Sequence, residues 1–151
     1  MKAQELLPDL SAEGFQKMEE LRAPLQAPGQ DNYRAAYRHQ ETNGMAVVDI
    51  NVVGDEAMAK SVFKTSAEAL KNPPPDFVAG AKGWQSTGSP DIGDERQAYV
   101  TTNVDPQGNK AWSDIYRFGR VVVITQVLAP GDNDQLGLRK QVAEEVQGAM
   151  Q

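Results

Sequence analysis

The stretch KAWSDIYRFGRVVVITQV, residues 110–127, constrains the fold more than any other part of the chain. Its two halves alternate in side-chain character with a period of two, and Gly119-Arg120 lies between them. A glycine at the first of two turn positions meets the positive φ that a type II′ hairpin requires. Folded back in this way, Trp112, Tyr116 and Phe118 share one face with Val121, Val123 and Val127. A chain carrying such a hairpin builds an antiparallel sheet and needs a second layer to cover its apolar face.

A second hairpin is expected from DNYRAAYRHQETNGMAVVDINVV, residues 31–53. Tyr33, Ala35 and Tyr37 alternate with Arg34 and Arg38. On the return strand Ala46, Val48, Ile50 and Val52 share a face opposite Asp49 and Asn51. Asn43-Gly44 suits a tight type I′ turn. Between the hairpins, Ala59, Val62, Phe63, Ser66, Ala67 and Leu70 recur at helical spacing. Asp55 serves as N-cap, Glu56 suits the positive end of the helix dipole, and Pro73–Pro75 end the helix. From Trp84 onward a strand meander is expected, with a turn at DPQGN (105–109). Asn133 or Asp134 then caps a final helix that buries Leu138, Val142, Val146 and Ala149. The spacing therefore predicts one α+β domain over residues 1–151: hairpin, helix, strand meander and C-terminal helix, with the helices packed on the sheet.

Composition excludes several function classes. Fifteen Lys and Arg against 21 Asp and Glu give a net charge of −6. No basic run exceeds a pair such as Arg139-Lys140, so a nucleic-acid partner, which needs a cationic footprint, is not expected. The absence of cysteine removes thiolate nucleophiles, disulfides and Cys-rich zinc sites together. No apolar run is long enough to be a transmembrane segment, and MKAQELLPDL has no signal-peptide hydrophobic region. Either the chain is cytoplasmic, or an export signal precedes Met1.

The signposts LLPDLSAEGF, YRAAYRH, GDERQAYV and YRFGRVVVITQV come in an order that resembles a class of uncharacterised bacterial domains of secreted proteins and lipoproteins. The broader architecture is similar to the PsbP and LpqN group. The resemblance implies an extracytoplasmic setting and a binding or accessory role, and it carries no catalytic residues. It also implies that residues 14–20 are extended. Their composition is helical, but the Gly14-Phe15 opening and the prolines at 8, 24 and 28 outweigh propensity.

Few residues look like chemistry. Asp91, Asp94 and Glu95 crowd around Gly93, but a calcium loop of the EF-hand type needs a bidentate Glu six residues beyond its glycine, and position 99 is Tyr. Adjacent acids on an extended chain diverge, so the expected role is a turn rather than an acid/base pair or a metal site. DPQGN and GDND (131–134) read as a hairpin tip and a helix cap. His39 is the sole histidine, and no serine sits in a nucleophile elbow. No cofactor, metal or catalytic residue is expected.

The candidate ligand-binding residues are Trp112, Asp114, Tyr116, Trp84 and Tyr99, in a pocket between sheet and helix. Asp114 is out of place on a dry aromatic face. It is expected at the sheet's margin; the alternative is an open pocket within reach of Arg34, Arg38 or Arg96. The resulting reading is a non-enzymatic extracytoplasmic binding or accessory domain for a protein or small-molecule ligand. The alternative is a small cytoplasmic enzyme or ligand carrier with a cavity behind the sheet.

Overall fold

The computed structural model describes residues 2–22, 30–41, 44–71, 84–101, 108–131 and 134–150. Two short 3-10 turns, Ala3–Leu6 and Ser11–Glu13, precede β1 (Phe15–Arg22), β2 (Asp31–His39) and β3 (Met45–Val52). Helix α1 (Glu56–Lys71) follows. Then come β4 (Gln85–Thr87), β5 (Glu95–Val100), β6 (Asn109–Phe118), β7 (Val121–Pro130) and α2 (Leu136–Ala149). The seven strands form one sheet in the order β1-β2-β3-β7-β6-β5-β4, every pairing antiparallel. The α+β architecture expected from the alternation is the one observed.

The β6–β7 hairpin has the predicted register. Phe118 pairs with Val121, Tyr116 with Val123 and Trp112 with Val127. Gly119 has φ 60° while Arg120 stays out of the positive-φ region, the combination a type II′ turn needs. The β2–β3 hairpin also forms, and the His39 amide donates to the Gly44 carbonyl where the two strands meet. Asn43 itself lies outside the described residues.

The N-terminal region divides as the resemblance implied. Ser11–Glu13 is a single helical turn, Gly14 reverses the chain at φ 83°, and the strand runs from Phe15. A shift of register between Lys17 and Glu19 bulges this edge strand at Met18, an exposed side chain. Bulges and charged side chains protect an unpaired edge from pairing with other chains.

Each sheet face has its own core. Ala59, Phe63, Ala67 and Leu70 of α1 pack on Tyr99, Ile115 and Val122. Asp55 caps α1 through Oδ1, which accepts from the Met58 amide at 2.7 Å. On the opposite face Val142, Ala143 and Val146 of α2, together with Leu6 and Leu10, cover Trp112, Tyr116, Val121, Val123 and Val127. In α2, Ala143 rather than Ala149 is buried; Ala149 is exposed. Its N-cap is Gln135, left-handed at φ 54° and giving no side-chain cap. Asp134 Oδ1 accepts instead from Leu136 N at 3.1 Å. Asn133 and Pro73–Pro75 lie outside the described residues.

Candidate functional site

The five candidate residues do not converge on one pocket, because the sheet separates them. Period-two alternation sends Trp112, Asp114 and Tyr116 to the α2 face. Tyr99, on β5, faces α1, and Trp84 packs against that second core from the edge of β4. Trp84 is part-exposed, whereas the other four are buried. On each side these side chains pack against the helix that covers that face.

Asp114 is not at the sheet's margin. It and Arg139 are both 0% exposed, and they form an ion pair between β6 and α2. Arg139 Nη2 donates to Asp114 Oδ1 at 2.7 Å and Nε to Oδ2 at 2.9 Å, the two-point geometry a planar guanidinium favours. The remaining donors reach the Gly88 carbonyl at 2.8 Å and the Asp134 carbonyl at 3.0 Å. One side chain thus ties together β6, the segment after β4 and the start of α2. Arg34 reaches Asp49 instead, and Arg96 reaches Asp91. Burial pushes the Asp114 carboxyl above its ordinary range, against the pull of Arg139.

Two hydroxyls adjoin this pair. Thr125 lies directly across the ladder from Asp114, and Tyr116 is two residues along the same face. Both hydroxyl oxygens are buried without a well-aligned hydrogen bond. Burial, reinforced by the Asp114 charge, raises the Tyr116 phenol far above its usual value. Tyr37, at the other end of this core, donates from Oη to the Pro8 carbonyl at 2.8 Å. Its phenol is also raised, by burial first and by Glu20 and Asp9 second.

The acidic stretch at 91–95 is a turn, with Gly93 at φ 86°. Its three carboxylates diverge to different partners. Asp91 pairs with Arg96, Asp94 Oδ2 accepts from the Gly119 amide at 2.7 Å, and Glu95 pairs with Arg117. Arg117 also contacts Glu56 at the first turn of α1 and donates to the Gly119 carbonyl. Sequence reasoning missed this cluster, which fastens α1 to the β6–β7 turn much as Arg139 fastens α2. Glu95 above all holds the Arg117 guanidinium above its ordinary range.

His39 stands edge-on to Phe15, ring centroids 5.1 Å apart at 82°. Its Nδ1 accepts from the Glu41 amide at 3.2 Å. Among the described residues no group of three or more His, Cys, Asp or Glu is arranged to hold a metal ion. No helix among them is long and apolar enough to cross a membrane.

No known family model matches the chain, and no curated protein matches it. Among solved structures it is similar to the extracellular domain of PknH from Mycobacterium tuberculosis, with a TM-score of 0.61 and 13% identity. The likeness covers 98% of this chain and 92% of that one. At this identity the likeness concerns the fold alone.

Proposed function

We propose that this chain is a non-enzymatic extracytoplasmic binding or accessory module of PsbP/LpqN-like architecture, belonging to an exported or lipid-anchored protein. The observation that carries the reading is the chain-long likeness to the PknH extracellular domain. The charge chemistry supports it as well: Asp114 and Arg139 are consumed in bracing α2, and Glu56, Asp94 and Glu95 in bracing α1 through Arg117. A glycosidase-type acid/base pair needs two carboxylates converging on one bond, and these are instead committed to separate structural partners. Within this reading Trp112, Asp114 and Tyr116 shape the face on which α2 docks. Trp84, the part-exposed member of the five, can meet a protein or small-molecule ligand without any helix moving.

The test is compartment. The full-length gene product, with whatever sequence precedes Met1, is fused at its C-terminus to alkaline phosphatase, which is active only after export. Phosphatase activity, with protease access to the domain in intact cells, is the expected result. A fusion that is inactive and protected in intact cells overturns the proposal.

A further inference from the structure

Helix α2 is joined to the sheet through a strained residue. β7 ends at Pro130 and α2 begins at Leu136. Between them Gln135 stands at φ 54° and ψ 27°, the only non-glycine residue at positive φ among those described. An N-cap residue ordinarily has an extended backbone and a side chain that accepts from the first helical amides. Gln135 has neither. It gives no side-chain cap, and its Nε2 donates back to the Pro130 carbonyl at 2.9 Å. The left-handed turn is what lays α2 over its own sheet; an extended backbone at Gln135 would point the helix elsewhere.

The seat that α2 occupies is specific. Arg139 meets Asp114 and the Gly88 carbonyl there, and Val142, Ala143 and Val146 fill the apolar core beside them. As the last described element, α2 can leave this seat without carrying another described element with it. Every copy of the chain offers the same seat.

We infer that α2 is exchangeable between two copies of this chain: with Gln135 extended, α2 of each copy seats on the Asp114 face of the other, giving a symmetric domain-swapped dimer. The exchanged form keeps the ion pair and the apolar contacts, and it relieves one left-handed residue in each chain. Short connections under strain favour such exchange. Against it stand the loss of the Gln135–Pro130 hydrogen bond and the entropy of association, so the balance moves with protein concentration.

Co-refolding of two intact chains, Asp114→Leu and Arg139→Leu, tests the inference. Alone, each variant seats its own helix with one buried charge unpaired. Exchange between them places one native Asp114–Arg139 seat and one wholly apolar seat in the same dimer. The expected result is a heterodimer holding one chain of each kind, melting above either variant alone. Wild-type chain refolded at millimolar concentration is expected to contain a dimer, and Gln135→Gly, for which the left-handed turn carries no strain, is expected to lower its association constant about tenfold or more. The inference is overturned if the mixture holds only the two separate species, each melting as it does alone, or if Gln135→Gly leaves the wild-type association unchanged.

Discussion

Arg139 of α2 and Asp114 of β6 meet in a two-bond ion pair from which solvent is fully excluded. Taking both charges out of water is expensive, and the pair persists because each guanidinium nitrogen finds an acceptor. Removing one partner is therefore far worse than removing both. Arg139→Met or Asp114→Ala is expected to cost about 3–5 kcal/mol in urea denaturation, as for other broken buried pairs. The double replacement Asp114→Leu with Arg139→Leu is expected to cost less than either single change. It does not restore full stability, because the Gly88 and Asp134 carbonyls lose their donor. If the single changes prove neutral, the pair does not hold α2.

Tyr37 and Tyr116 set the alkaline limit of the fold. Both phenols are raised from an ordinary value of 10.0 by burial. The folded chain keeps these protons where the unfolded chain sheds them, so their stabilisation is complete below pH 10 and declines as pH rises towards the folded values. Each adds a slope of about 1.4 kcal/mol per pH unit above that point. Stability is expected to fall steeply in this window, and the share of the phenolate absorbance that Tyr37 and Tyr116 contribute is expected to rise with unfolding rather than before it.

The same two tyrosines differ at neutral pH. Tyr37→Phe removes the hydrogen bond to the Pro8 carbonyl and is expected to cost about 1 kcal/mol. Tyr116→Phe removes a hydroxyl that has no well-aligned partner and is expected to be neutral or slightly stabilising. Equal losses in denaturant midpoint from the two substitutions would contradict this assignment.

Gly14 is doubly constrained. Its φ is 83°, and a Cβ built there lies 2.7 Å from His39 Nε2. Gly14→Ala is expected to destabilise by about 1–3 kcal/mol, the usual cost of a strained backbone position. Adding His39→Ala should recover the steric share and leave the backbone share. A thermal-melting cycle on the four proteins separates the two.

The turn at Asp91, Asp94 and Glu95 is expected to give no saturable heat on calorimetric titration with calcium or zinc, since its carboxylates serve different partners. Asp94→Ala is expected to cost about 1 kcal/mol through loss of the Gly119 hydrogen bond. A calcium-dependent rise in Tm that Asp94→Asn removes would refute the turn assignment.

What was legible in the sequence follows from range. Alternation along 110–127 gives both the β6–β7 register and the faces, because a strand's side chains obey a local rule. The Gly14-Phe15 boundary yields to a local rule as well, since only glycine turns there without strain. The ion pair does not. Asp114 stands out on an aromatic face, and Arg139 lies one helical turn before Val142 and Ala143, on the buried stripe of α2. Each is a visible misfit in its own element, yet adjacency to Lys140 makes Arg139 look like half of a surface basic pair. Only the docking of α2 against β6 reveals that the misfits cancel. The division of Trp112 from Tyr99 has the same origin: a list of aromatics carries no face until neighbouring strands are in register.

The strand order has a kinetic side. β1-β2-β3 and β7-β6-β5-β4 are each a meander of sequence neighbours, and one seam, Met45–Val52 against Val121–Leu128, joins them. Within either half, pairing closes short loops. Across the seam, Val52 must find Val121 over a far longer stretch of chain, and loop-closure entropy opposes that step before any contact repays it. Helix α1 leaves one side of the seam and packs on β5, β6 and β7 at the other, so it is the strap by which the two half-sheets are drawn into one.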